Sequence, residues 1–317
     1  MKTSVLIPAY NCSKTIRATL DSVLRQTVVA DEVIVLDDGS TDDTLSQVES
    51  YKGRISVFRQ PNSGVAIARN VLCELATGDL LAFIDSDDIW HPKYLEVQCK
   101  SFADHPDAVG FFTGHVNFHG YGPFEWNDDP AETKYDAEVI DPLSFLERYN
   151  TNTGMFASMS YMSVPKKVFA RLGNEPFNER VPGVEDSFLC TTLPLLGPVV
   201  FVPAPLVAYR VTPNSLSVLR LERFAMWVDV FNILRDRYEG QANAKLLRAF
   251  RGAYAAKRRS YAKILMGACE AQLARDQLWR SVGDCRRLPS MLKSMALLFL
   301  THMPSLAQPK WPSRFRE

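Results

Sequence analysis

Short apolar runs alternate with helix-period stretches through the first hundred residues of this 317-residue chain. "SVLIPAY" is a β-branched run broken by Pro8, after which Ile16, Leu20, Val23 and Leu24 recur at helical spacing. Ser13 or Thr15 stands near the start of that helix as a cap. "EVIVLDDGS" predicts a second buried strand; Ser40 or Thr41 then caps a helix whose first turn holds Asp42 and Asp43. "ISVFRQ" reads as a third strand. Ile67, Val71 and Leu75 mark a helix that Gly78 can end. "LLAFID" is a fourth strand, with Pro92 opening the next helix.

This alternation predicts an α/β fold with a parallel sheet and right-handed crossovers. Ligands of such sheets bind beyond the carboxyl ends of the strands. "PAYN", "DDGS" and "DSDD" are those ends, so all three fall on one rim. Beyond about residue 110 the pattern loosens. "VGFFTGHVNFH" reads as a strand entering a loop, "YGPFEWNDDPAETKYDAEV" as a mobile loop, and "MFASMSYMSV" and "PVVFVPAPLVAYR" as later strands. After about Ser217 the chain turns helical. Phe224, Val228, Phe231 and Leu234 trace one helix; Leu247, Phe250, Tyr254, Tyr261 and Leu265 trace another, with basic residues between.

Overall charge is uninformative, with 36 basic against 36 acidic residues, but its distribution is not. Residues 241–317 carry 15 Lys and Arg against 4 Asp and Glu, a net of +11; residues 1–240 carry 21 against 32, a net of −11. That asymmetry points to an anionic partner for the basic end. None of the six cysteines lies in a CxxC pair or at zinc-finger spacing, which predicts reduced thiols and a cytoplasmic protein. The apolar run before Pro8 is too short for a signal-peptide core. No window approaches the roughly 18 uninterrupted apolar residues of a membrane helix.

Candidate chemistry gathers on the rim. Asp85 and Asp87, separated by Ser86, lie on one side of an extended segment. Two converging carboxylates raise each other's pKa unless a cation intervenes, and hard oxygen ligands suit Mg²⁺ or Mn²⁺. A bare DxD is otherwise an ordinary charged turn. Asp38 can accept from a base N–H, and Tyr10 can stack on a base face. In "NSGVAIARN", Asn62 and Gly64 permit close backbone approach, and Arg69 can neutralise carboxylate or phosphate. Glu185 and Asp186 in "GVEDSFL" are either helix-start acids or contain a general base. His115 and His119 are four apart but in a strand-like stretch, which argues against metal ligation. There is no GxxxxGKS loop, GxGxxG or serine elbow.

In order, "SVLIPAYNCSKTIRATLDSVLRQT", "EVIVLDDGSTDDT", "NSGVAIARN", "GDLLAFIDSDDIWHP", "VEDSFL" and "YRVTPNSLS" resemble the family-2 inverting nucleotide-sugar glycosyltransferases, mostly bacterial, over about residues 1–217. The resemblance implies a GT-A fold, a Rossmann-like and mostly parallel sheet flanked by helices, with residues 218–317 as a C-terminal helical appendage. Within 1–217 it implies a nucleotide-binding half, about 1–108, and an acceptor half, about 109–217. It also implies that Tyr10 and Asp38 hold the base, that Asp85 and Asp87 hold sugar-nucleotide and metal with Asp87 the direct ligand, and that Asp186 is the acceptor's base. Tyr209 and Arg210 then close the site near the diphosphate; Pro8, Asn62, Gly64, Arg69 and Ser86 complete the donor-binding set. Relatives often carry His where Thr212 stands, and Gly-Gly-Phe where "GNEPF" stands.

The expected function is divalent-metal-assisted, inverting transfer of a sugar from a nucleotide-sugar, with a UDP-sugar the first choice. The expected acceptor is a glycan or a lipid-linked saccharide in surface polysaccharide synthesis. The basic C-terminal helices are expected either to meet an anionic membrane at its cytoplasmic face or to dock with their cations toward the acidic N-terminal part, and no nucleic-acid partner is expected. A catalytically silent sugar-nucleotide-binding relative is the alternative, against which the intact DxD and "ED" stand. A phosphoacceptor receiver domain fits less well, because a strand and helix already precede "DDGS" and no suitably spaced Lys ends a later strand. A sugar nucleotidyltransferase would need a Gly-rich basic N-terminal loop that is absent here.

Overall fold

In the computed structural model, residues 1–127, 135–151, 158–173, 176–212, 221–238, 244–267, 270–285 and 288–301 are described. They form two compact units, one of residues 1–142 and 154–216, the other of 143–153 and 217–317.

The first unit begins β1 (Thr3–Ala9), α1 (Ile16–Leu24), β2 (Glu32–Asp37), α2 (Thr44–Glu49), β3 (Ser56–Arg59), α3 (Val65–Leu75) and β4 (Leu80–Phe83). β5 (Ile89–Trp90), α4 (Tyr94–Asp104), β6 (Phe111–His119) and β7 (Glu138–Ile140) follow. After α5 (Pro142–Thr151), which groups with the second unit, come β8 (Met162–Pro165), α6 (Lys166–Leu172), α7 (Glu185–Leu196) and β9 (Val199–Val211). The strands form one sheet in the order β3-β2-β1-β4-β8-β6-β9-β5. β7 pairs with the start of β9, at Val199–Phe201, and β5 with its later part, at Val207 and Ala208.

The first four strands are parallel, as the alternation predicts. Every residue of β1 is buried, because helices cover both faces; this is why "TSVLIPA" is a continuous apolar run rather than an alternating one. Beyond β4 the sheet is mixed. β8 runs antiparallel to both β4 and β6, since it arrives after a long excursion and not through one helical crossover. With β1, β2 and β4 parallel, their carboxyl ends share one edge, and the three polar motifs meet there.

Several local expectations give way to other contacts. α2 starts at Thr44 with Asp43 as its N-cap residue, and Asp42 Oδ1 accepts from Thr44 N at 3.0 Å. Ser40 and Thr41 instead tie the first two rim loops together. Asn11 N donates to Ser40 Oγ (3.0 Å), and Thr41 N donates to Asn11 Oδ1 (2.8 Å). Thr15 is the N-cap residue of α1 but makes no side-chain cap bond. α3 ends at Leu75, so Gly78 does not terminate it; a Cβ there would sit 2.8 Å from Ser4 N, and close approach is what the position requires. Pro92 precedes rather than opens α4. The stretch read as a mobile loop is pinned by aromatics where it is described: Phe124 packs on Phe118 (5.1 Å between ring centroids) and Trp126 on His91 (4.9 Å). Its residues 128–134 lie outside the described chain, as do 155–157 of "MFASMSYMSV" and 213–217 of "YRVTPNSLS".

The second unit comprises α5 and α8 (Leu221–Tyr238), α9 (Ala244–Gly267), α10 (Ala271–Asp284) and α11 (Leu288–Thr301). Ala262, Leu265, Ala274, Leu278 and Leu298 form its core, and Phe231 packs on Phe250 at 5.2 Å. Part of the basic excess is turned inward. The buried Arg258 pairs with Asp284 (3.0 Å), donates to Gln277 Oε1 (2.6 Å) and lies 4.1 Å from the Tyr254 ring centroid. The five described cysteines are free thiols, and Cys269 lies outside the described residues.

Gly39 of "DDGS" carries the tightest constraint near the rim. Its φ is +76°, and a Cβ would stand 2.6 Å from Asn62 N. Gly53 has φ +97° with open space around its Cβ position. Gly39→Ala is therefore expected to lower unfolding free energy in urea by about 1–3 kcal/mol. Gly53→Ala, with backbone strain but no clash, should lose measurably less. Equal losses would remove the close approach as the cause.

Candidate active site

The rim joins a base-sized platform, an acidic turn and a second acidic pair. Tyr10, just past β1, is 49% exposed, as a stacking surface requires. Pro8 is buried within β1, opposite Leu36. Asp38 is buried, and both its oxygens are engaged. Oδ1 accepts from Gln60 Nε2 (2.6 Å) and Ser63 N (3.0 Å); Oδ2 accepts from Gly64 N (2.9 Å). Asp38 thus organises the 60–64 loop, while Asn62 is exposed beside it. A base N–H would have to share an already occupied carboxylate.

The acidic turn Asp85–Asp88 is bracketed on all sides. Asp85 N donates to Ser160 Oγ (3.0 Å), and Asp88 N to Asp85 O (3.2 Å). Beyond the turn, Trp90 is buried, stacks on Tyr94 at 4.0 Å and donates Nε1 to Ser160 O (2.8 Å). Burial first, then the charge of Asp85, pushes Asp87 up to about 6, against the opposing pull of Arg210. Burial, then Asp87 and Asp85, holds Asp88 well above the usual carboxylate range. Asp88 Oδ1 accepts from Arg210 N (2.8 Å), while its buried Oδ2 has no hydrogen-bond partner.

Arg69 joins this turn to the second acidic pair. It rises from the middle of α3, is 4% exposed, and pairs at 2.6 Å with both Asp85 Oδ1 and Glu185 Oε1. Burial disfavours its charge, but Asp85, then Glu185 and Asp186, raise its pKa above the ordinary arginine value. Next to it, Asn70 closes a two-bond amide pair with the Phe177 backbone, donating to O (2.9 Å) and accepting from N (3.0 Å). Glu185 and Asp186 open α7. Burial first, then the like charge of Glu185, pushes Asp186 up to about 7, opposed by Arg69. A carboxylate tuned to neutrality is suited to accept a proton at working pH.

Arg210 has a buried side chain whose Nε and Nη1 donate to main-chain carbonyls: Asp87 O (2.7 Å), Gly120 O (2.6 Å) and Gly122 O (3.3 Å). It lies 4.3 Å from the Phe118 ring centroid. Arg210 is thus a clamp on the acidic turn. Tyr209 is half-buried, set edge-on to His115 and Tyr161, which stack on each other at 4.5 Å. Ser86 is half-buried at the tip of the turn, and Thr212 follows the last residue of β9. Residues 174 and 175 of "GNEPF" lie outside the described residues. Asp88, Asn70 and Gly39 carry the site without having been singled out by pattern. Their signals are weak, since each sits beside a more conspicuous residue.

Five carboxylates, of Asp85, Asp87, Asp88, Glu185 and Asp186, face two guanidinium groups. Among the described residues no three metal-ligating side chains converge on one point. A Mg²⁺ or Mn²⁺ site of the kind completed by phosphate oxygens needs only one or two protein carboxylates. The unpartnered Asp88 Oδ2, the raised Asp87 and the excess of negative charge fit such an ion.

Comparison with known proteins gives a consistent set. The sequence profile of Glycosyl transferase family 2 matches residues 4–172, more than half of the chain. Glycosyltransferase GlyA of Streptococcus pneumoniae is 29% identical over 230 residues, covering 70% of this chain and 32% of that protein. The putative teichuronic acid biosynthesis glycosyltransferase TuaG of Bacillus subtilis is 42% identical over 116 residues, 35% of this chain and 46% of TuaG. The chain thus spans less than half the length of these curated relatives. S. aureus TarS 1–349, solved with UDP-GlcNAc, superposes with a TM-score of 0.68 at 19% identity, covering 100% of this chain and 90% of that one. The mannosyltransferase PcManGT of Pyrobaculum calidifontis, solved with GDP-Man and Mn²⁺, gives 0.59 at 20% identity, covering 96% and 84%. Both share the fold.

Arg210→Lys keeps the charge but loses the planar fork and the ring contact. It is expected to destabilise the protein by about 1–3 kcal/mol, read by denaturant unfolding, as buried carbonyls lose donors. A variant as stable as the parent would show that the charge alone suffices.

Proposed function

This chain belongs to glycosyl transferase family 2, and on that premise we propose that it transfers a sugar from a nucleoside-diphosphate sugar to an acceptor hydroxyl with inversion. Support comes chiefly from one arrangement: a half-buried carboxylate raised to about 7, Asp186, one residue from the Arg69 bridge to the acidic turn. Tyr10 offers its exposed ring to the base, and Asp38 shapes the loop that lies beside it. A UDP-sugar is the first candidate donor, since S. aureus TarS was solved with UDP-GlcNAc and with UDP on the same fold.

The acceptor oxygen attacks the anomeric carbon as Asp186 takes its proton. The bond from that carbon to the diphosphate oxygen breaks, and the nucleoside diphosphate leaves with the electron pair. Base and leaving group lie on opposite faces of the sugar, so the configuration inverts, as in single-displacement glycoside chemistry. Asp87, with Asp85, would hold Mg²⁺ or Mn²⁺, which would neutralise the leaving group's charge. Arg210 fixes the backbone of Asp87. Arg69 offsets the charge of Asp85.

We assign the acceptor to the glycan or lipid-linked saccharide class, in surface polysaccharide synthesis at the cytoplasmic face of a membrane. Among the described residues no helix is long and apolar enough to cross a membrane. α11 does present Leu288, Leu292, Met295 and Phe299 exposed at helical spacing, with Lys293 also exposed. This is the pattern of an interfacial helix on anionic lipid. Arg286 and Arg287, just before α11, and His302, just after it, lie outside the described residues.

The transfer reading is tested with purified protein, UDP-sugars and Mn²⁺. Nucleotide release should require the metal and vanish in Asp87→Asn. Asp186→Asn should lower transfer by about 10²-fold or more with donor affinity nearly unchanged. In the parent, kcat/KM should rise about tenfold per pH unit up to about 7 and then level, because the base must be ionised. Metal-independent turnover in Asp87→Asn, or a pH profile unaltered in Asp186→Asn, would overturn it. For the membrane assignment, the full chain should float with phosphatidylglycerol vesicles and not with neutral phosphatidylcholine vesicles, and Leu292→Ser/Phe299→Ser should abolish flotation; absence from both vesicle types rejects it.

A further inference from the structure

Glu185 is the acid for which pattern and family give no separate task. It is 4% exposed, and only one of its oxygens has a hydrogen-bond partner, Arg69 at 2.6 Å. The Nη2 of Arg69 donates to Asp85 at the same distance, while its buried Nε has no hydrogen-bond partner. The bridge spans 116 residues of sequence from α3 to α7 and 16 from α3 to the acidic turn.

Apolar burial of Val184, Phe188 and Leu189 seats the start of α7, but few side-chain hydrogen bonds orient its acids. Its N-cap residue, Val184, makes no side-chain cap. Asp186 Oδ1 accepts only from the neighbouring Ser187 N, a bond internal to the same turn. Among the described residues, Glu185 makes the one side-chain hydrogen bond that leads from this first turn to the parallel half of the sheet. The preceding segment is held to α3 by the Asn70–Phe177 pair, eight residues before Glu185, and between them lies a turn with Gly183 at φ +80°. Without Glu185, the Asp186 carboxylate could shift while the segment behind it stayed in place.

We infer that Glu185 is a positioning residue for the transfer reaction: through Arg69 it fixes the Asp186 carboxylate at a set distance from the acidic turn that holds the donor. This inference rests on the assignment of Asp186 as the base. Length and an acceptor oxygen are what the role demands. Full charge is not, because Arg69 retains Asp85 as a counterion.

Three variants of the full chain separate these requirements. Glu185→Gln keeps length and an acceptor oxygen, Glu185→Asn keeps the acceptor but is one methylene short, and Glu185→Met keeps length without the acceptor. Turnover, donor affinity by calorimetry and thermal unfolding are measured for each, with Asp186→Asn in the same assay. Glu185→Gln should retain at least about a third of parental turnover. Glu185→Asn and Glu185→Met should fall by about tenfold or more, in line with the cost of ångström-scale misplacement. Donor affinity should stay within about threefold throughout. If Glu185→Gln is as impaired as Glu185→Met, the residue acts through its charge and the inference fails. It also fails if Glu185→Asn turns over like the parent, or if donor affinity falls in step with turnover. Full activity in Asp186→Asn would instead remove the base assignment itself.

Discussion

A single buried cation decides whether this site can exist. Taking carboxylates out of water costs several kcal/mol apiece unless the charge is compensated. Arg69 compensates two of them at 2.6 Å, Asp85 from the acidic turn and Glu185 from the start of α7. It is held in α3 by packing, so its guanidinium sets where both acidic segments come to rest. The remaining carboxylates are left under-compensated. Burial first, and neighbouring carboxylates second, raise Asp87, Asp88 and Asp186, a cost that a divalent ion and a proton from an acceptor would each relieve.

Arg210 complements Arg69 by a different route. Arg69 works on side-chain charge, whereas Arg210 works on backbone carbonyls, at Asp87, Gly120 and Gly122. One arginine fixes the electrostatics of the acidic turn, the other its shape. A fork of fixed geometry suits both tasks, and a point charge on a flexible stem suits neither.

What was legible in the sequence was local. Strand ends with several acids, a β-branched run before each, and helix-period residues after each placed Tyr10, Asp38, Asp85 and Asp87 on one rim, and the parallel half of the sheet follows the alternation; Asp186 stood out only as a helix-start acid or a general base. Four things were not legible. Helix starts were misplaced, because Ser40 and Thr41 bond to Asn11 instead of capping α2, a competition that only the neighbouring loop reveals. The bonds from Arg210 to the carbonyls of Asp87, Gly120 and Gly122 cross 88 to 123 residues of chain. The coupling of Arg69 to Glu185 spans 116 residues, and periodicity carries no information at that range. The antiparallel entry of β8 is hidden for the same reason: strand direction is set by the path of the chain, not by its pattern.

The Arg210 clamp also bears on how the chain is made. Ribosomal synthesis delivers β1, β2 and β4, and with them the complete acidic turn, more than a hundred residues before Arg210. Through that interval the turn carries three crowded carboxylates with neither the backbone clamp nor the β5–β9 pairing that anchors its far end. Strands β1, β2 and β4 can pair before β9 exists, although β1 and β4 lie 77 residues apart in the chain. The acidic loop is completed last, when β9 adds to the sheet. A chain interrupted before that strand would own every residue of the rim and still lack its shape.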